Sequence, residues 1–217
     1  MRSIEWVDDA QREVWSAWRS LGGDGHDGVV TELLARHAEP HRRYHTAEHV
    51  MWVLRNVDRL LADDLDSKLD HDAIRAAALF HDAIYEPLSA TNEADSADLA
   101  VHRLRPLGWS DARLDAVATL INATAGHEAT SRAAAVLLDA DLAVLGGEPD
   151  DYAAYVAGVR FEYGHVPDEQ WRVGRTAALR MFLDRPRIYA TAAMFAAREA
   201  RARHNITAEI AALAAVP

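Results

Sequence analysis

The stretch HDAIRAAALFHDAIY, residues 71–85, decides how this chain folds. Ile74, Ala77, Ala78 and Phe80 fall at helical spacing, and alanine, leucine and arginine are strong helix formers. A run as apolar as Ile74–Phe80 predicts a helix buried on most sides. It ends in His81-Asp82, and an unpaired buried carboxylate costs several kcal/mol, so Asp82 needs a cation or strong donors. His-Asp occurs twice more. His26-Asp27 stands in a glycine-rich loop and His71-Asp72 follows a charged stretch, so both are expected at the surface.

Working outward, the segment Leu138-Asp139-Ala140-Asp141-Leu142 interrupts the apolar run Ala133–Leu145. Either carboxylate suits a cation or a helix end; Asp141 is favoured as the ligand, with Asp139 as the alternative. Upstream, Tyr44-His45-Thr46-Ala47-Glu48-His49 places two histidines four residues apart on one helical face. That face continues through Trp52, Val53 and Asn56, which are expected to be buried. Alone, such a pair is as well explained by a helix cap and a half-buried imidazole. The whole order, His … His-Asp … Asp, points to a divalent cation and to metal-dependent hydrolysis.

Composition narrows the choice. The 217 residues contain no cysteine, so disulfides and thiolate ligands are excluded and a metal must be held by His, Asp and Glu. Such ligands suit Mn, Fe, Co, Ni, Mg or Zn. The net charge of −11 repels nucleic acid, so none is expected as a partner. A small phosphorylated substrate is compatible with that charge, because a bound cation and a few arginines reverse the potential locally. There is no apolar run of ~18 residues, so no membrane partner is expected. The opening MRSIEWVDDAQREVW is acidic and amphipathic rather than basic then apolar, and the expected location is cytoplasmic.

The periodicity predicts one all-α domain over 1–217. Helices are expected at about 4–20, 28–38, 46–62, 71–85, 91–106, 111–125, 131–145, 150–163, 168–184 and 188–204, with a last short helix after Asn205. Thr46 or His45, Asp70, Thr91 and Ser110 are placed as N-caps. The tryptophans at 6, 15, 18, 52, 109 and 171 are expected to pack in the core.

The order His49, His81-Asp82, Asp141, with the contexts ALFHDA and DADL, resembles the HD-domain phosphohydrolase superfamily. The wider set RRYHTAEH, FHDAIY, NEADSA, DADLAVLG and VRFEY, over roughly 40–190, is similar to a bacterial subgroup of predicted metal-dependent HD phosphohydrolases. The resemblance implies an HD-domain-like helical bundle, with His49, His81, Asp82 and Asp141 around one or two divalent metals. It also implies hydrolysis of a phosphoester or phosphoanhydride. Tyr44-His45-x-x-x-His49 further resembles the signature of cyclic nucleotide phosphodiesterases, although Thr46 stands where that signature has asparagine. This likeness makes His49 the ligand and His45 the acid that protonates the leaving oxygen.

Other residues complete the expected site. Glu93, early in its helix, suits a base that orients water, although acids also favour that turn for capping and dipole reasons. His127 suits substrate or a second metal; a histidine at a helix end also suits the helix dipole. Arg43 and Arg160 suit phosphate by their forked donors, as do Arg42 and Arg175, while an ion pair is the plain alternative for any of them. A di-iron oxygenase with the same ligands, and a catalytically silent metal-binding module, are the competing functions.

Overall fold

The computed structural model describes residues 4–62 and 68–215, with side chains from residue 9 onward. Among these residues the fold is all-α, without strands. The helices are α1 (Ile4–Ser20), α2 (Asp27–His37), α3 (Ala47–Ala62), α4 (His71–Phe80), α5 (Asn92–Leu104), α6 (Asp111–Ala123), α7 (Arg132–Asp141), α8 (Pro149–Glu162), α9 (Asp168–Leu183) and α10 (Ala192–Ala215). None of them is long and apolar enough to cross a membrane. The chain forms two compact units, Met1–Asp141 and Leu142–Pro217.

In the first unit α4 is the central element, packing against α1, α3, α5, α6 and α7. Ala73, Ile74 and every residue from Ala76 to Phe80 are buried. The four alanines let several helix backbones approach, while Ile74, Leu79 and Phe80 fill the gaps, each contributing about 1.5–3 kcal/mol on burial. Trp18 of α1 meets Phe80 edge-on, with ring centres 6.2 Å apart. Asp70 caps α4 by accepting a hydrogen bond from the Ala73 amide at 3.0 Å. Its carboxylate also binds Arg113, which reaches Asp72 as well.

The helix expected to continue to Tyr85 instead stops at Phe80. Side chains capture the backbone beyond it: Arg42 takes the carbonyls of Asp82 and Ala83, and the buried Ser96 hydroxyl bonds both the amide and the carbonyl of Ile84. His81 and Asp82 therefore stand on the turn leaving a buried helix.

Two further boundaries differ from the periodicity. In the second unit a 3-10 segment, Leu142–Gly146, replaces the expected end of α7. Its carbonyls are claimed by side chains, Leu142 by the Tyr189 hydroxyl, Ala143 and Gly146 by Arg198, and Leu145 by Asn205. Helix α10 is one continuous helix from Ala192 rather than two from 188. Ile188 and Tyr189 give their amides to the buried carboxylate of Glu199, which delays the start. Asn205 spends its side-chain amide on Leu145 and Gly147 and so does not compete with its own helix.

The tryptophan expectation holds for two positions: Trp18 and Trp109 are buried. Trp52 is 44% exposed. The inward face of α3 carries His49, Val50, Val53, Leu54 and Val57, which turns Trp52 outward to stack with Arg55. Asn56 and Trp15 and Trp171 are half-buried, and Trp6 lies outside the described side chains.

Candidate metal centre

Three helices of the first unit deliver the charged core. His49 comes from the first turns of α3, His81 and Asp82 from the turn after α4, and Asp141 from the last residue of α7. His49 Nε2 and His81 Nε2 are 3.1 Å apart. Asp82 Oδ2 lies 3.4 Å from His49 Nε2 and 3.2 Å from His81 Nε2. Asp141 Oδ1 lies 3.2 Å and 3.6 Å from the same two nitrogens. The ligand atoms of His49, His81 and Asp141 all fall within 4.8 Å of one another. Asp139, two residues from Asp141 and so turned ~200° around α7, is buried outside this group.

The arrangement fits a single cation. A metal–ligand distance of ~2.1 Å places neighbouring ligand atoms about 3.0 Å apart in an octahedral shell and about 3.4 Å apart in a tetrahedral one. The observed spacings, 3.1 to 3.6 Å, match those values. The tautomer fits too. His81 Nδ1 is 2.9 Å from the Ala78 carbonyl, an acceptor only, so Nδ1 carries the proton and the neutral ring turns the Nε2 lone pair inward.

Without a cation, protons must serve. Burial alone would lower the pKa of His81, but the carboxylates of Asp82 and Asp141 outweigh it and hold the pKa well above the ordinary imidazole value. His49 is raised in the same way, against its burial, by Asp141 and Asp82. Burial would raise both acids; His81, His45 and His49 hold Asp82 well below the carboxylate range, and His127, His49 and His81 do so for Asp141. Two Nε2–H groups cannot point at each other across 3.1 Å, so the pair titrates as a unit. A dication satisfies all four groups together.

The residues around the core differ in placement. His127 Nε2 is 3.0 Å from Asp141 Oδ2, while Oδ1 of the same carboxylate pairs with His49 and His81. Its backbone is left-handed, with φ of 49°, a conformation that costs a non-glycine residue about 1–2 kcal/mol. The ring of His45 packs 5.8 Å from that of His49, between Tyr44 at 4.9 Å and Tyr85 at 4.2 Å. Glu93 is half-buried in the first turn of α5 and makes no hydrogen bond or ion pair with the four core residues. Arg43 is exposed between α2 and α3. His26 and His71 are exposed, as expected of the other two dipeptides.

Comparison with family models, with curated proteins and with solved structures gives no match.

Three arginines expected to favour phosphate are committed elsewhere. Arg160, in the second unit, binds the Tyr163 and Val166 carbonyls and the Asp168 carboxylate. Arg175 forms a buried pair with Glu209 and donates to the Tyr155 hydroxyl. Arg42 is buried against main-chain carbonyls. Sequence reasoning did not find the supports of the site: Arg42, Ser96, and Asn92, whose amide pairs with both the amide and the carbonyl of Glu86. The four-residue spacing of Asn92 and Ser96 was the available signal, since it puts both on the α5 face turned to the His81-Asp82 turn.

Proposed function

We propose that the protein is a metal-dependent phosphohydrolase of the HD-domain type, with His49, His81, Asp82 and Asp141 as ligands of one divalent cation. The observation that carries this reading is the convergence of two buried imidazole nitrogens and two half-buried carboxylates at ligand spacing. The cation would supply a water of lowered pKa and would polarise a phosphorus–oxygen bond. The chain's own residues supply the rest. His81 is oriented by Ala78, His45 stands beside the ligand His49 to give a proton to the leaving oxygen, and Glu93 orients the attacking water. His127 and Arg43 hold the phosphate, and the net charge of −11 makes local cationic groups necessary for that. Arg160 is held by Asp168 and by the Tyr163 and Val166 carbonyls within the second unit and has no role in this proposal.

A second reading is favoured by one contact. Asp141 turns Oδ1 to His49 and Oδ2 to His127, as a carboxylate bridging two cations would. In that case His127 would hold a second ion, which would supply two-ion hydrolysis or, as iron, oxygen chemistry.

The test is a screen of phosphomonoesters, phosphodiesters and nucleotides against Mn, Co, Ni, Mg, Zn and Fe. Turnover that needs an added metal and disappears with chelator supports the proposal. Metal binding without turnover under any condition leaves the silent metal-binding module, and oxygen consumption with iron selects the oxygenase.

A further inference from the structure

We infer that Arg42 is the positioning residue of this site, a buried guanidinium that sets the separation between the His45–His49 segment and the His81-Asp82 turn. The inference rests on the metal-centre reading above. The Arg42 side chain is completely buried, 0% exposed. A buried guanidinium is costly unless its donors are satisfied. Nη1 donates to the carbonyls of Asp82 at 2.7 Å and His45 at 3.2 Å. Nη2 donates to the Ala83 carbonyl at 3.2 Å, and Nε donates to Glu39 at 2.9 Å. The Tyr85 ring covers the guanidinium at 5.4 Å.

Three of these four acceptors are main-chain oxygens of the two segments that carry His49, His81 and Asp82. Asp82 and Ala83 are 40 and 41 residues from Arg42 along the chain, while His45 is only three away. One planar fork therefore fixes where α3 begins relative to where α4 has ended. It also sits at the C-terminal end of α4, where the unpaired carbonyls and the helix dipole favour a cation. Lysine cannot replace it, because one ammonium cannot span three carbonyls in a fixed plane. Through the backbone of Asp82 and His45, Arg42 sets the ligand spacing without touching any ligand atom.

The test compares wild type with Arg42→Lys and Arg42→Met by Co(II) titration, reading affinity and the visible ligand-field spectrum. Helix content is followed by circular dichroism. Arg113→Met is the control, since it breaks ion pairs at the opposite end of α4. The expected result is Co(II) affinity reduced about 10–100-fold in Arg42→Lys, with an altered spectrum, at unchanged helix content. Arg113→Met should be less stable but bind Co(II) like wild type. Wild-type affinity and spectrum in Arg42→Lys would overturn the inference, whether or not Arg42→Met folds. Failure of wild type itself to bind Co(II) would instead overturn the metal-centre reading.

Discussion

His49 of α3 and His81 just beyond α4 face each other through their Nε2 atoms at 3.1 Å, and two carboxylates each lie within 3.6 Å of both. Two imidazoles that close are poor partners for each other: only one proton fits between them, and burial opposes a charge on either ring. The packing of α3 against α4 holds the contact, and a shared cation would satisfy both rings.

Metal content follows directly. The purified protein should carry at least one divalent transition metal per chain by elemental analysis. His81→Ala and Asp141→Asn should carry less than about a tenth of that while keeping wild-type helix content. Equal occupancy in either variant would remove the site from consideration.

Bound metal would reverse the pH dependence of stability. In the metal-free protein the raised pKa of His81 adds stability that is complete below about pH 6.5, the ordinary histidine value, and is lost as pH rises through the raised pKa. The lowered pKa values of Asp82 and Asp141 add stability above the ordinary carboxylate range, lost as pH falls through the lowered values. Bound metal needs the imidazoles deprotonated, so it stabilises more as pH rises. The gap in melting temperature between Mn-loaded and chelator-treated protein should widen from pH 6 to pH 8. A gap that narrows over that range would contradict the assignment of both histidines.

His37 gives the fold an acid limit. Burial, with Arg42 nearby, pushes its pKa down to about 3, so between there and the unfolded value the unfolded chain binds the extra proton. Stability should fall as pH drops below about 6.5, by up to ~1.4 kcal/mol per unit. Urea unfolding at pH 4.5 and 6.5 should show a shallower loss for His37→Met than for wild type.

His127→Asn separates strain from function. Asparagine tolerates the left-handed backbone at this position, so the loss of stability should be confined to the Asp141 hydrogen bond, about 0.5–1.5 kcal/mol. The Asp141 contact goes, and turnover of the best substrate should fall at least ~10-fold. Unchanged turnover would make His127 a helix-end residue and nothing more.

In the second unit, Tyr189→Phe tests the 3-10 segment. The buried hydroxyl donates to Leu142 and accepts from Gly146, both at 3.0 Å, so its removal should cost about 1–3 kcal/mol in chemical denaturation with no effect on metal content.

Much of this was legible in the amino-acid order. Ile74–Phe80 with its alanines determined a buried helix, and of the expected caps Asp70 and Ser110 accept a hydrogen bond from the first turn while Thr91 precedes α5 without one. Burial logic likewise singled out His81-Asp82 from three His-Asp dipeptides, because the cost of a buried carboxylate is a property of the residue and its apolar neighbours. Tertiary structure decided what depends on distance through space. It placed Asp141 rather than Asp139 beside His49 and His81, since a helix turns ~200° between them and only packing says which side faces α3 and α4. It ended α4 at Phe80, because Arg42 and Ser96, distant in sequence, outbid the helix for the next backbone groups. It also made Arg42 a buried structural cation instead of a surface arginine, a choice set by three carbonyl oxygens whose meeting point no sequence pattern records.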